Sequence, residues 1–301
     1  MMIKKEIGKR IMKQAKKIIE KKILKDACEI FSLPEAIFRL QEAINNDKSS
    51  ANDIVSILEA DSSLLATTLK IANSAAYGQR RKIDEARKAV VLLGLEELNR
   101  VLLTAVATNK INKNIPPELD MNKFWRETLF CSYFCQEFGK KIINKSIFTA
   151  GMLHNIGTLF LFKEFPKKQE KIEEISHNNN YAKLALERDQ YGFNSVVITT
   201  KILEQWHLPD IIINAVKFQE SPDDISILNR IPTLILYSGI RLSDQSKNIN
   251  ENSEIFADIS LKFTHANLSI SLEALLESRE SAIDLTEKTI SEFLPKKSLA
   301  A

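Results

Sequence analysis

The sequence predicts an all-α protein, and three observations carry that reading. Only 8 glycines and 8 prolines interrupt 301 residues, few for turn-rich β structure. Asn-Gly and Asp-Gly hairpin signals and long period-two alternation are missing. Apolar residues instead recur at helical spacing along most of the chain. Hydrophobic residues make up 44% and charged residues 27%, the balance of an ordinary globular protein rather than of a disordered one. Three cysteines, Cys28, Cys131 and Cys135, are too few for a disulfide framework and read as reduced thiols. No signal peptide follows the basic N-terminus, and no apolar run reaches the ~18 residues of a membrane-spanning helix. A cytoplasmic location is expected.

Met1 to Lys25 is the most biased segment. It holds 10 Lys or Arg against Glu6 and Glu20, a local charge of +8, so the rest of a +3 chain carries 3 − 8 = −5. Ile3, Ile7, Ile11, Ala15, Ile19 and Ile23 recur every four residues, the stripe of an amphipathic helix. The first reading is a surface helix docked by its stripe, with a solvated lysine face. The alternatives are an anionic membrane surface, nucleic acid or an acidic protein partner. The stripe lacks Trp and Phe, which weakens the membrane version.

Pro34 suits the first turn of the next helix, whose apolar face is Ala36, Ile37, Leu40 and Ile44. Ser50 is placed to cap a helix carrying Ile54, Val55, Ile57 and Leu58, and Asp61 or Ser62 to cap one carrying Leu64, Leu65, Thr68, Leu69 and Ala72. That helix is expected to end between Asn73 and Gly78. Another runs from about Asp84 to Leu93 and stops at Gly94. Leu95 to Ile111 continues with Leu98, Val101, Leu102, Ala105 and Val106 inward. Ile115-Pro116-Pro117 marks a boundary between helical layers.

Beyond it, a long helix is predicted from Asn122 to Ile143, with Trp125, Leu129, Tyr133 and Phe134 as its large residues. Ser146 to Phe162 holds the segment AGMLHNIG (Ala150 to Gly157). Helices are expected near Pro166 to Ser176 and Tyr181 to Gln190, then from an Asn194 cap to Trp206, and from Pro209 to Phe218. A buried helix spans about Ile225 to Leu242 with Pro232 near its start. Ser243 to Ser253 reads as a loop. Two amphipathic helices, Leu268 to Ser278 and Ala282 to Leu294, are predicted to end the chain.

Several of these segments together match a pattern. Leu33-Pro34, Asp61 with Leu64 and Leu69, IANSAAYG (Ile71 to Gly78) and AVVLLG (Ala89 to Gly94) resemble the first half of an HDOD domain. Phe124-Trp125, AGMLHNIG and WHLP (Trp206 to Pro209) resemble its second half. The resemblance spans about residues 31–242. It implies two packed helical subdomains, about 31–113 and an HD-like one about 120–242, preceded by the basic helix (1–30) and followed by a C-terminal helical extension (243–301).

The HDOD fold is similar to that of HD-domain metal-dependent phosphohydrolases. Those enzymes use a first His, a His-Asp pair and a later Asp to hold divalent metal, which activates water for attack on phosphorus. The resemblance puts Glu127 at the first His and His154-Asn155 at the pair. Tyr237-Ser238-Gly239 falls at the last Asp, with Gly239 at the ligand step. Histidines that some metal-dependent relatives carry near Asn194 and near Phe218-Gln219 are also missing. One ligand of four is kept, so no cofactor and no catalytic residue are expected. Only Glu127 and His154 are residual metal candidates. Cys131 and Cys135 share a helix face and could join His154 on zinc, but core packing is the commoner fate of such thiols. His177, His207 and His265 read as loop or local structure.

The expected function is therefore a non-catalytic bacterial signal-transduction module that binds signalling proteins in trans or a small ligand. Asn73, Tyr77, His154, Asn155 and Trp206 are the candidate groove residues, each with a structural reading beside it: a cap at Asn73, a core imidazole with its amide neighbour at His154 and Asn155, packing aromatics at Tyr77 and Trp206. The alternatives are a residual metal-dependent phosphohydrolase acting on a nucleotide or cyclic nucleotide, and nucleic-acid or membrane-surface binding through the basic helix.

Overall fold

The structure, a computed structural model, describes residues 21–31, 35–46, 48–73, 82–95, 97–99, 102, 105–106, 118–143, 147–177, 179–225, 227–243, 249–250 and 252–293. Every regular element among them is helical, as composition and periodicity predict. The described residues within 31–113 form one compact unit, and those within 21–30 and 118–293 form another. Most of the basic N-terminal segment, Pro34, Tyr77, Gly78 and the Ile115-Pro116-Pro117 break lie outside the described residues.

The first unit is built from α1 (Glu35–Asn45), α2 (Ala51–Ala60), α3 (Ser62–Ala72) and α4 (Ala86–Leu93). Its punctuation follows the sequence. Ser50 and Asp53 form a capping box: Asp53 N donates to Ser50 Oγ at 3.3 Å and Ser50 N to Asp53 Oδ2 at 2.7 Å. Asp61 Oδ1 accepts from Ser63 N and Leu64 N, both at 2.9 Å. Gly94, at φ +72°, ends α4 in a conformation that side chains resist. Ile37, Leu40, Ile54, Leu58, Leu64, Ala89, Leu98 and Leu102 are buried.

The second unit is organised around α5 (Met121–Ile143). Phe130, Phe134 and Phe138 run along one face, with ring centroids 6.1 and 5.1 Å apart, and Phe263 meets Phe138 edge-on at 5.9 Å. Around it lie α6 (Phe148–Leu153), α7 (Ile156–Glu164), α8 (Pro166–Ser176), α9 (Asn180–Tyr191), α10 (Ser195–Gln205), α11 (Asp210–Lys217) and α12 (Ile227–Leu242). Asn194 caps α10, its Oδ1 accepting from Val197 N at 3.1 Å. Two glycines set the spacing that matters most. A Cβ at Gly151 would stand 2.5 Å from Cys131 O, and one at Gly157 2.1 Å from Ser195 O. Only glycine lets α6 lie this close on α5, and α7 on α10.

The C-terminal segment differs from expectation. A helix not predicted, α13 (Glu254–His265), follows a Ser253 cap whose Oγ accepts from Phe256 N at 3.3 Å. The two predicted helices are one, α14 (Leu272–Phe293). Leu275, Ser278, Ala282 and Thr286 are all buried, so one continuous stripe crosses the expected break. Ser278 starts no turn, because its hydroxyl donates back to Ala274 O at 2.8 Å. α14 lies along α5, tied by Arg126–Glu287 and Lys141–Glu277 pairs and by a Tyr133–Thr289 hydroxyl contact of 2.7 Å.

Candidate functional site

The close approach of α6 to α5 sets the short link between α6 and α7, which holds His154 and Asn155, over the first half of α5. Here the second unit encloses a cavity of about 110 Å³. α5 contributes Lys123, Glu127 and Cys131, the link His154 and Asn155, α7 Thr158, and α8 Glu173. Tyr181 and Lys183 of α9, Gln219 after α11, and Arg241 of α12 complete the polar wall.

His154 is only 9% exposed. Its Nδ1 lies 2.6 Å from Gly151 O. A carbonyl oxygen can only accept, so Nδ1 carries the proton and Nε2 keeps a lone pair. Burial pushes the imidazole pKa down to about 4, so the ring is neutral near pH 7. Glu127 makes no hydrogen bond within the described residues. Burial raises its carboxyl above the ordinary range, with Lys123 and Lys183 pulling the other way.

The cations are paired elsewhere. Lys183 Nζ donates to Glu173 Oε1 at 2.9 Å and to Thr158 Oγ1 at 3.2 Å. Burial opposes its charge, yet Glu173, Glu187 and Glu127 around it hold its pKa above the ordinary value. Lys123 lies 3.9 Å from the same Glu173 carboxylate. Arg241 Nε is 3.5 Å from Asp258 Oδ2 on α13, and its guanidinium lies over the Tyr181 ring at 5.4 Å.

Asn155 and Gly239, the other residues expected at ligand steps, both meet α5. Asn155 Nδ2 donates to Thr128 Oγ1 at 2.9 Å, which fixes the link onto α5. Gly239 faces α5, where an added Cβ would lie 3.2 Å from Phe134 Cδ1 and 3.7 Å from Cys131 Cα. A side chain there would require the Phe134 ring to give by a few tenths of an ångström. The thiols of Cys131 and Cys135 are buried and pushed well up from their ordinary pKa by desolvation, the setting of inert core cysteines. Among the described residues, no cluster of three or more His, Cys, Asp or Glu is arranged to hold a metal ion.

The expected groove residues have different surroundings within their own units, and Tyr77 lies outside the described residues. His154 and Asn155 meet at the cavity. Trp206 is fully buried and is not among the cavity's lining residues. Asn73 belongs to the first unit, where it splices backbone. Its Oδ1 accepts from Ile83 N at 2.7 Å, and its Nδ2 donates to Ile83 O at 2.7 Å and Leu69 O at 2.8 Å. Sequence reasoning missed Lys123, Glu173, Lys183, Gln219 and Arg241. They come from separate helices with no common spacing. The one available signal was the absent histidine near Phe218-Gln219, which points to the place Gln219 occupies. No described helix is long and apolar enough to cross a membrane.

Comparison with known proteins agrees with this architecture. A protein of Treponema pallidum (strain Nichols) without an assigned function is 25% identical over 197 residues, 64% of this chain; the match spans 38% of that protein's length. A crystal structure from Shewanella amazonensis SB2B, provisionally named a phosphohydrolase, superposes with TM-score 0.68 at 19% identity, covering 88% of this chain and 97% of its own. One from Marinobacter aquaeolei VT8, provisionally named a signal transduction protein, gives 0.64 at 19%, covering 88% and 60%. An HDOD domain protein of unknown function from Geobacter sulfurreducens gives 0.66 at 18%, covering 91% and 99%. These structural likenesses show the fold. The HDOD domain profile matches residues 30–222, well over half of the sequence. The chain belongs to the HDOD domain family.

Proposed function

We propose that this protein is a non-catalytic regulatory module of signal transduction, acting through contacts with signalling proteins and gated by what its cavity holds. The observation that carries this reading is the use made of the ligand-step positions. Asn155 is an uncharged amide occupied with Thr128, and Gly239 is a helix-packing glycine against Phe134. A hard divalent ion needs carboxylates at such positions, and here both are given to structure. The signal-transduction name of the Marinobacter aquaeolei structure points the same way, as does the family assignment.

A second reading, a residual metal-dependent phosphohydrolase, draws on one observation. The Gly151 carbonyl fixes the His154 tautomer that leaves Nε2 as a donor atom, the orientation that metal-ligating histidines receive from their outer partners. Glu127 lines the same cavity. Phosphodiester and phosphomonoester hydrolysis, measured with and without added manganese, separates the readings. The regulatory reading predicts background rates that His154→Ala leaves unchanged. A manganese-dependent rate abolished by His154→Ala would establish the phosphohydrolase instead.

A further inference from the structure

Pairing the charges in and around the cavity leaves a specific remainder. Lys123 and Lys183 stand against Glu173, and Arg241 against Asp258. With Glu127 and with Glu187 beside Lys183 counted, three cations face four carboxylates. Among the described residues of the cavity, what is left without a hydrogen-bonding partner is three acceptors and one donor, Arg241 Nε, which stands 3.5 Å from Asp258 Oδ2 as an ion pair. The Glu127 carboxylate receives no donor from the described residues. His154 Nδ1 is committed to Gly151 O, and among the described residues the Nε2 lone pair has no donor. Gln219 is 4% exposed. Its Nε2 donates to His154 O at 3.4 Å, which fixes the orientation of the amide, and its Oε1 is buried without a partner. A buried acceptor left unsatisfied costs free energy that an arriving donor recovers.

These groups are neighbours through the fold. Gln219 is hydrogen-bonded to the backbone of His154. Asn155, the next residue, is hydrogen-bonded to Thr128, the residue after Glu127. Glu127, His154, Asn155 and Gln219 all line this cavity.

We propose that this cavity binds a small molecule through a primary ammonium group, whose three N–H donors are accepted by the Glu127 carboxylate, His154 Nε2 and Gln219 Oε1. An ammonium carries three donors, no acceptor and one positive charge, which complements a carboxylate and two neutral acceptors. Charge-assisted bonds to Glu127 supply most of the affinity, and the Gln219–His154 pair supplies direction. Metal-binding chemistry is not needed, and the proposal rests on the non-catalytic reading above. It adds to that reading the class of signal that the cavity receives.

The test uses the full chain and three amine probes, ethanolamine, putrescine and methylammonium, with ethylene glycol as the uncharged counterpart and Mn²⁺ as a separate probe. Binding is followed by calorimetry and by ligand-observed NMR. At least one amine is expected to bind saturably while ethylene glycol does not. Glu127→Gln and Gln219→Leu should each weaken binding by about tenfold or more, the loss expected for one charge-assisted or buried hydrogen bond. Circular dichroism melts of both variants establish that they are folded, and the near-isosteric Glu127→Gln keeps the test decisive if Gln219→Leu is not. Absence of saturable amine binding overturns the proposal and leaves the regulatory reading standing. Amine binding indifferent to both substitutions overturns it too. Stoichiometric Mn²⁺ binding that requires His154, together with hydrolysis, would overturn both.

Discussion

Two glutamates of the same unit, Glu187 buried and Glu127 half-buried, show how differently one fold can treat a carboxylate. Glu187 on α9 is fully buried, and both of its oxygens are occupied. Oε1 accepts from Gln169 Nε2 at 2.7 Å, and Oε2 from Ser195 N at 2.7 Å and Ser195 Oγ at 2.8 Å. It thereby closes the start of α10, where a negative charge also suits the helix dipole. Glu127 on α5 lines the cavity and accepts no hydrogen bond from the described residues. The first carboxylate is part of the framework. The second lines the cavity with only the attraction of Lys123 and Lys183 to hold it, the condition that the amine proposal requires.

The largest expected effect comes from the framework side. Glu187→Leu strands the buried donors of Ser195 and Gln169, and urea unfolding should show a loss of about 2–4 kcal/mol. A loss below about 1 kcal/mol would mean that the network contributes little and would remove the contrast with Glu127.

His154 gives the next effect, and it depends on pH. Its folded pKa of about 4 lies below the ordinary 6.5, so the unfolded chain takes up the proton first. Stability should fall as pH drops from 6.5 to about 4 and level off below that, with a span of roughly 3 kcal/mol for one buried imidazole. His154→Gln should flatten this window. A window unchanged by the substitution would place the titration elsewhere.

Asn155→Asp comes third. It restores the residue type of the metal-binding pair but replaces the donor to Thr128, so a cost of about 1 kcal/mol is expected. No metal should be gained, because Gly239 still supplies no ligand. Glu127→Gln should change stability least near pH 7, by no more than about 1 kcal/mol and toward higher stability, since desolvation of this carboxylate outweighs the attraction of Lys123 and Lys183. The raised pKa of Glu127 fixes the sign of the pH effect. The folded state holds this proton more tightly, so wild-type stability rises as pH falls through the folded pKa, and Glu127→Gln loses that rise.

The sequence disclosed the punctuation better than the interior. Ser50, Asp61, Asn194 and Gly94 were readable because caps and left-handed stops act locally, through side chains and backbone a few residues apart. The segment holding His154 and Asn155 was readable because its residue types recur in a known pattern. α13 and the unbroken α14 were missed because local propensity is even across them. Packing on α5, through the buried stripe from Leu275 to Thr286, decides where they run. The cavity was only half legible. Its histidine and Glu127 lie in matched segments, whereas Lys183, Glu173, Gln219 and Arg241 are gathered by tertiary packing alone. Asn73 and Trp206 were read as groove candidates because they belong to signature segments. In the structure one splices backbone, and the other is fully buried.

The central claim is that the HD-type metal centre has been given over to packing and to a free acceptor set. Metal content tests it most directly. The chain, purified without a metal-binding tag and without chelator, should carry far less than one equivalent of Mn, Fe, Ni or Zn, and His154→Ala should leave that value unchanged. One equivalent of a transition metal per chain, lost in His154→Ala, would contradict the account and show that the ligand set has been rebuilt around His154.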